Sequence, residues 1–171
     1  MKNALERQFI RCGRRKQWMY QNEQIALRPR EYNAHVSCLD GATSMIFDVI
    51  QTDTGLVIGE LALRLGDGPG LFYLGHIGYH VDPPWQGRHV AYQACALCFP
   101  LLRDMGVRTL VVTTDEDNLP SIRTCEMLGC VLECTVDVPS WCVREFRISC
   151  RKRRYVLTVP EKGPFRFHAP P

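Results

Sequence analysis

A change of apolar rhythm near residue 88 constrains this chain more than any other feature. Upstream of it, Met45 to Gln51, Leu56 to Leu65 and Leu71 to Val81 read as strands. The separators Thr52-Asp53-Thr54-Gly55 and Gly66-Asp67-Gly68-Pro69-Gly70 carry turn chemistry, so the three runs predict an antiparallel meander. Downstream, Val90/Ala91, Ala94/Cys95, Leu97/Cys98, Leu101/Leu102 and Met105 recur at helical spacing, and Gly106 stands where a C-terminal cap belongs. Val107 to Thr114 then returns to a continuous β-branched strand. Strand 71–81, helix 88–105 and strand 107–114 predict a right-handed βαβ crossover if the strands are parallel.

The flanks are read in the same way. Asn118 is a good N-cap for a helix from Leu119 to Leu128, with Pro120 in its first turn and Gly129 as its stop. Cys130 to Val138 and Phe146 to Val159 contain further strand-like stretches, and Gln24 to Arg28 a short first strand stopped by Pro29. Residues 3–16 are polar and basic with weak helical character. Pro100 inside the long helix costs about 3 kcal/mol unless a kink absorbs it. Gly75 and Gly78 in the third run mark a bulge or a close approach to the backbone. The division expected is a basic segment over 1–20, one domain over 21–160 and a tail over 161–171.

Composition narrows the class. With 46% hydrophobic and 23% charged residues among 171, the chain is ordinary globular material with enough length for a core. Its net charge of +3 is unevenly spread: residues 1–30 carry eight basic and two acidic side chains, and residues 151–171 carry six and one. The middle is therefore acidic, which suits a cationic ligand, or else the basic runs are simply solvated. The basic ends lack interleaved aromatics, so nucleic acid is not an expected partner. No apolar run approaches the roughly 20 residues of a membrane span, and no secretory signal follows Met1. Nine cysteines without paired knuckles point to free thiols in a reducing cytoplasm, and no metal is expected. Cys95 and Cys98 form a Cys-x-x-Cys on one helical face, where small core residues are the simpler reading than zinc or redox chemistry.

The junction Tyr79-His80-Val81-Asp82-Pro83-Pro84-Trp85-Gln86-Gly87-Arg88-His89-Val90-Ala91 carries the chemistry. A helix opening there offers unpaired N–H groups and partial positive charge to a phosphate or pyrophosphate. Gly87 permits close approach, Ala91 leaves the first turn uncrowded and Arg88 adds charge. One strand later comes Asn118-Leu119-Pro120-Ser121-Ile122-Arg123-Thr124-Cys125-Glu126-Met127-Leu128-Gly129-Cys130.

Together these segments resemble the GCN5-related N-acetyltransferase (GNAT) superfamily over roughly residues 45–138. The family's acyl-CoA loop, Gln/Arg-x-x-Gly-x-Gly/Ala, is matched by Gln86-x-x-His89-x-Ala91. Its later helix, Asn-x-x-Ala/Ser-x-x-x-Tyr-x-x-x-Gly-Phe, is matched by Asn118-x-x-Ser121-x-x-x-Cys125-x-x-x-Gly129-Cys130. The resemblance implies an α/β (α+β) fold: a mixed, mostly antiparallel twisted sheet with a central βαβ unit and flanking helices. It also implies acetyl-CoA as co-substrate and direct transfer to a primary amine of a small molecule or of a protein or peptide. The backbone of Tyr79 and Val81 would take the pantetheine arm. Gln86, Gly87, Arg88, His89, Val90 and Ala91 would surround the pyrophosphate, and Asn118 and Ser121 would lie along the arm.

Two departures stand out: His89 replaces a glycine, and Cys125 stands where a tyrosine is the commonly proposed general acid. Cys125 is then either a general acid working through water or a packed helix residue. Glu60 is the candidate base carried forward, with His76, His80 and Asp115 to Asp117 as others. The two helices the family places between its first strands have only about fifteen residues here, Pro29 to Ser44. Either they are abbreviated or residues 3–16 supply one of them. A catalytically silent acyl-CoA-binding module is the alternative function, and a homodimer stays open.

Overall fold

A computed structural model of the chain describes residues 4–161. A helix, α1 (Ala4–Arg14), precedes β1 (Tyr20–Gln21), β2 (Ile25–Val36), β3 (Ala42–Gln51) and β4 (Val57–Leu65). Next come α2 (Pro69–Leu74), β5 (Ile77–Val81), α3 (Val90–Leu97), α4 (Phe99–Asp104) and β6 (Thr109–Asp115). α5 (Leu119–Met127), β7 (Val131–Asp137), α6 (Ser140–Phe146) and β8 (Arg151–Thr158) complete the chain. The strands form one eight-stranded sheet in the order β1-β2-β3-β4-β5-β6-β8-β7. Every pairing is antiparallel except β5 with β6, so the expected meander and central βαβ unit are present. The tail foreseen beyond residue 161 lies outside the described residues.

Several expectations need correction. The run from Leu71 is not all strand: Pro69 opens α2, Leu71 is buried with Leu39 and Ala42, and Gly75 ends the helix at φ +79°. A side chain at Gly75 would put its Cβ 3.0 Å from the Thr113 amide, so glycine is required there for close approach as well as for its φ. The long helix is two, α3 and α4, with Pro100 in the first turn of α4. There the missing amide costs little, and the ~3 kcal/mol penalty of an interior proline is avoided. β2 runs through Pro29, which sits where the β2–β3 register shifts, so a bulge absorbs the absent donor. Phe146 belongs to α6, and β8 begins only at Arg151, after Arg147 turns the chain at φ +52°.

Residues 4–14 are a full helix, with Phe9 and Cys12 buried at i and i+3. Phe9 is 2% exposed and meets the Phe47 ring edge-on, centroids 5.0 Å apart, inside the main core. Between β2 and β3 there is only the single turn Ser37–Leu39. Of the two alternatives for the missing helices, the chain takes both in part: the connection is abbreviated, and α1 packs on the sheet from the N-terminal side.

β5 and β6 share one register pair, Ile77 with Val112, and then part. His76 fixes that point. Its amide donates to the Val111 carbonyl at 2.8 Å, and its Nδ1 accepts from the Val111 amide at 3.1 Å. Nδ1 must therefore be unprotonated, and Nε2, 3.2 Å from the Gly66 carbonyl, carries the hydrogen. Burial, the largest influence, holds the imidazole below the ordinary histidine range.

Two outcomes follow. Phe9→Ala should cost about 3–5 kcal/mol in urea unfolding; a loss under about 1 kcal/mol would mean that α1 does not pack as described. Because the folded His76 pKa is depressed, its stabilisation is complete above the unfolded value of about 6.5 and fades as pH falls below it. The urea midpoint of the native protein should drop between about pH 7 and 5, and this slope should flatten in His76→Gln. Equal slopes would exclude His76 as its origin.

Candidate active site

The parting of β5 from β6 opens a gap in the sheet, and the register of β5 decides what faces it. Asp82 donates its amide to the Ile58 carbonyl at 2.9 Å, so residue 82 faces β4. Strand alternation then turns the main-chain groups of Gly78 and His80 toward β4, and those of Tyr79 and Val81 toward the gap. These are the two residues whose backbone is expected to hold an extended ligand. The Val81 carbonyl already accepts from Gln86 Nε2 at 2.9 Å, an intramolecular contact the sequence pattern gave no hint of. Gln86 thus closes the turn back onto the mouth of the gap.

The turn itself is built from proline and indole. Pro83–Trp85 is a single 3-10 turn, and Trp85 packs against the core while its Nε1 donates to Gln51 Oε1 at 3.2 Å. Gly87 follows at φ +75° and His89 at φ +58°, immediately before α3. His89 therefore adopts the left-handed conformation that glycine reaches freely, at a cost of about 1–2 kcal/mol. The departure from the loop pattern is one of side chain, not of backbone. The first-turn amides of α3, including those of Val90 and Ala91, have no carbonyl four residues back within the helix, and Arg88 is exposed beside them. A hollow of about 340 Å³ lies against the same loop, lined by Trp85, Arg88 and Val90 together with Glu23, Gln24 and Asp53.

Across the gap stands α5. The Asn118 side chain accepts from the Ser121 amide at 3.2 Å, so the predicted N-cap is formed. Ser121 Oγ lies 2.8 Å from the Tyr79 hydroxyl, so the phenol crosses from β5 to the first turn of α5. Cys125, one turn further, is 0% exposed. The Cys130 thiol, followed by burial, pushes the Cys125 thiol far up. The proton of that thiol pair stays on Cys125, and Cys130 is correspondingly held below the ordinary thiol range.

The other candidates lie on the opposite side of the sheet. Leu61 and Tyr79 are register partners on the core face, whereas Glu60 and His80 are partners on the outer one. Glu60 accepts from Arg30, which also binds Asp48 at 3.0 Å, and Asp48 accepts from Arg28 at 2.7 Å. His80 Nε2 is 3.5 Å from Asp82 Oδ1. Asp115 is taken up by Lys152 at 2.5 Å and Ser149 at 2.6 Å. Burial opposes its ionisation, but these hydrogen bonds outweigh burial and hold the carboxyl below its usual range. Among the described residues, no three His, Cys, Asp or Glu side chains are grouped so as to hold a metal ion. None of the described helices is long and apolar enough to cross a membrane.

Comparison with known proteins meets this geometry. Residues 8–131 match the family described as the acetyltransferase (GNAT) domain. No curated protein sequence matches the chain well enough to count as a relative. Among solved structures, the chain is similar to the microcin C7 self-immunity acetyltransferase MccE in complex with acetyl-CoA and AMP (19% identity, TM-score 0.53, 68% of this chain and 61% of that one). It is also similar to the ribosomal-protein-S5-alanine acetyltransferase from Vibrio fischeri (17% identity, TM-score 0.54, 71% of this chain and 64% of that one). A GNAT-family acetyltransferase from Bordetella pertussis aligns at 21% identity and TM-score 0.51, over 67% of this chain and 66% of that one. The chain thus spans a little under two thirds of these proteins' lengths, and at such identities the likeness is one of fold. The family match covers most of the chain, and on that ground the chain belongs to the GNAT acetyltransferase family.

Proposed function

We propose that the protein transfers an acetyl group from acetyl-CoA to a primary amine of a small molecule or of a protein or peptide. One observation carries this reading: a gap lined by the main chain of Tyr79 and Val81 leads to the uncapped amides that open α3. An arm containing amides fits the first element, since its N–H and C=O groups complement an unpaired strand edge. A pyrophosphate fits the second, where helix dipole and the exposed Arg88 favour negative charge. The neighbour solved with acetyl-CoA and the one named as a ribosomal-protein acetyltransferase support the ligand and a protein amine as acceptor.

In this reading acetyl-CoA supplies a thioester carbonyl already activated for attack. The chain's residues divide the remaining work by face. The outer face carries Glu60, which receives the ammonium's proton directly or through water, its ion pair with Arg30 loosening as it does so. On the core face, Cys125 is fully buried and is read as a packed helix residue, so the departing thiolate takes its proton from another group. The loop 86–91 and the main chain of β5 orient the donor and need not move. A silent acyl-CoA-binding module is the second reading, favoured by the engagement of Glu60 with Arg30.

Acetyl-CoA and CoA should each raise the melting temperature, with stabilisation of about 2.7 kcal/mol at a hundredfold excess over Kd. Arg88→Ala should weaken CoA about tenfold by calorimetry, the loss of a charge-assisted contact, with the unliganded melting temperature unchanged. No stabilisation by either ligand would reject both readings. Stabilisation without an acetyl mass gain on any member of an amine and peptide library would select the silent module.

A further inference from the structure

The position that carries a phenol in the family's later-helix pattern carries a buried thiol here, yet a phenol reaches the same helix face from elsewhere. Tyr79 lies in β5, two residues beyond the last pairing with β6, with its main chain on the gap and its ring on the core face. Its hydroxyl stands 2.8 Å from Ser121 Oγ and 3.4 Å from the Ser121 carbonyl oxygen, in the first turn of α5. Ser121 and Cys125 are one helical turn apart, so the hydroxyl occupies the strip of α5 from which a side chain at 125 would face the gap. Cys125 itself is too short for that task. It is fully buried, and burial beside the Cys130 thiol keeps its proton in place.

Resting on the acyltransferase reading, we propose that Tyr79 is the proton donor to the departing CoA thiolate, its phenol supplied by the strand instead of the helix. As the amine nitrogen bonds to the acyl carbon, the C–S bond breaks with its electron pair on sulfur. The Tyr79 O–H bond breaks and an S–H bond forms. The phenolate takes a proton from the Ser121 hydroxyl, which draws one from solvent. Of the two protons the ammonium nitrogen loses on becoming an amide, one passes to Glu60 before attack and the other to solvent after it, so one proton is released per acetyl group transferred. No other co-reactant is needed.

The surroundings of the hydroxyl suit this part. The titratable groups that face it are thiols, Cys95 from α3 and Cys125 from α5, and its other neighbours are the hydroxyls of Ser121 and Thr124. Burial, followed by the thiols, moves the phenol well above its ordinary range, so it stays protonated wherever the protein is folded near neutrality. The two hydroxyls act in the opposite direction and stabilise the phenolate while it lasts.

The test compares CoA with desulfo-CoA, which lacks only the sulfur. Calorimetry from about pH 7 to 9.5 spans ionisation of a thiol whose ordinary pKa is near 8.5. The native protein should favour CoA increasingly as the bound thiol ionises, by about tenfold at the upper end, the worth of one charge-assisted hydrogen bond. Tyr79→Phe removes only the hydroxyl and should abolish that pH-dependent preference while binding desulfo-CoA as tightly as the native protein. A purely structural role would weaken both ligands equally, and a preference that persists in Tyr79→Phe would overturn the proposal. Should Tyr79→Phe not fold, Ser121→Ala keeps the ring and should reduce the preference at least threefold; an unchanged preference there overturns the proposal as well. If the native protein binds neither ligand, the acyl-CoA reading itself falls and this proposal with it, whereas binding without a sulfur preference removes the proposal alone.

Discussion

The arrangement of the molecule depends on two adjacent parallel strands touching at one residue pair and then diverging. Ile77 and Val112 are held in register, and the His76 ring bonded to the Val111 amide prevents the contact from moving. Past that point, the facing edges of β5 and β6 carry main-chain donors and acceptors that no strand satisfies. Backbone polar groups do not stay unpaired without cost, so such a gap is either wetted or filled by something with amide-like chemistry. The close turn at Gly75, the short α2 before it and the proline-rich turn after β5 all serve to bring the two strands together once and only once. α3 and α5 then start on the two sides of the opening, and their first turns become its rim.

The uneven charge along the chain acquires a tertiary meaning. Arg28 and Arg30 from the N-terminal part meet Asp48 and Glu60, and Arg151, Lys152 and Arg154 meet Glu116, Asp115 and Glu133. The basic ends and the acidic middle are zipped together across neighbouring strands. Part of the asymmetry is therefore taken up in ion pairs between strands, which weakens the case for a broad acidic field around a cationic amine. What it does produce is local: a charged outer face on β2, β3 and β4, uncovered by any helix between β2 and β3, with Glu60 among its members.

Where a local signal had one physical meaning, the sequence could be read. Asn118 was legible as a cap because an Asx side chain before a helical run has an amide waiting for it, and Ser121 supplies that amide. The β-branched run of β6 and the meander of β3 and β4 were legible for the same reason, since alternation and turn residues agreed. Leu71 to Leu74 misled because a short apolar run has no period of its own, and Pro69 and Gly75 settled it only together with packing on Leu39. Pro29 reads as the end of a strand and Pro100 as a kink inside one helix, whereas a bulge accommodates the first and the start of a second helix the other. Within the site, the strand-to-helix turn was legible from its prolines and glycine, while Tyr79 and Val81 were singled out only by the family resemblance. The Tyr79–Ser121, Gln86–Val81 and Arg30–Glu60 contacts did not, because pairings set by tertiary approach leave no trace in spacing.

The place of the last strand has a consequence for how such a chain comes into being. β8 is not at the margin of the sheet; it lies between β6 and β7, and both pair with it along their length. A chain emerging from N- to C-terminus can therefore assemble the hairpins of β2, β3 and β4 early, but β6 has an open edge and β7 has no partner until residue 158 is available. Completion of the domain is thus an insertion event of high contact order that waits on β8.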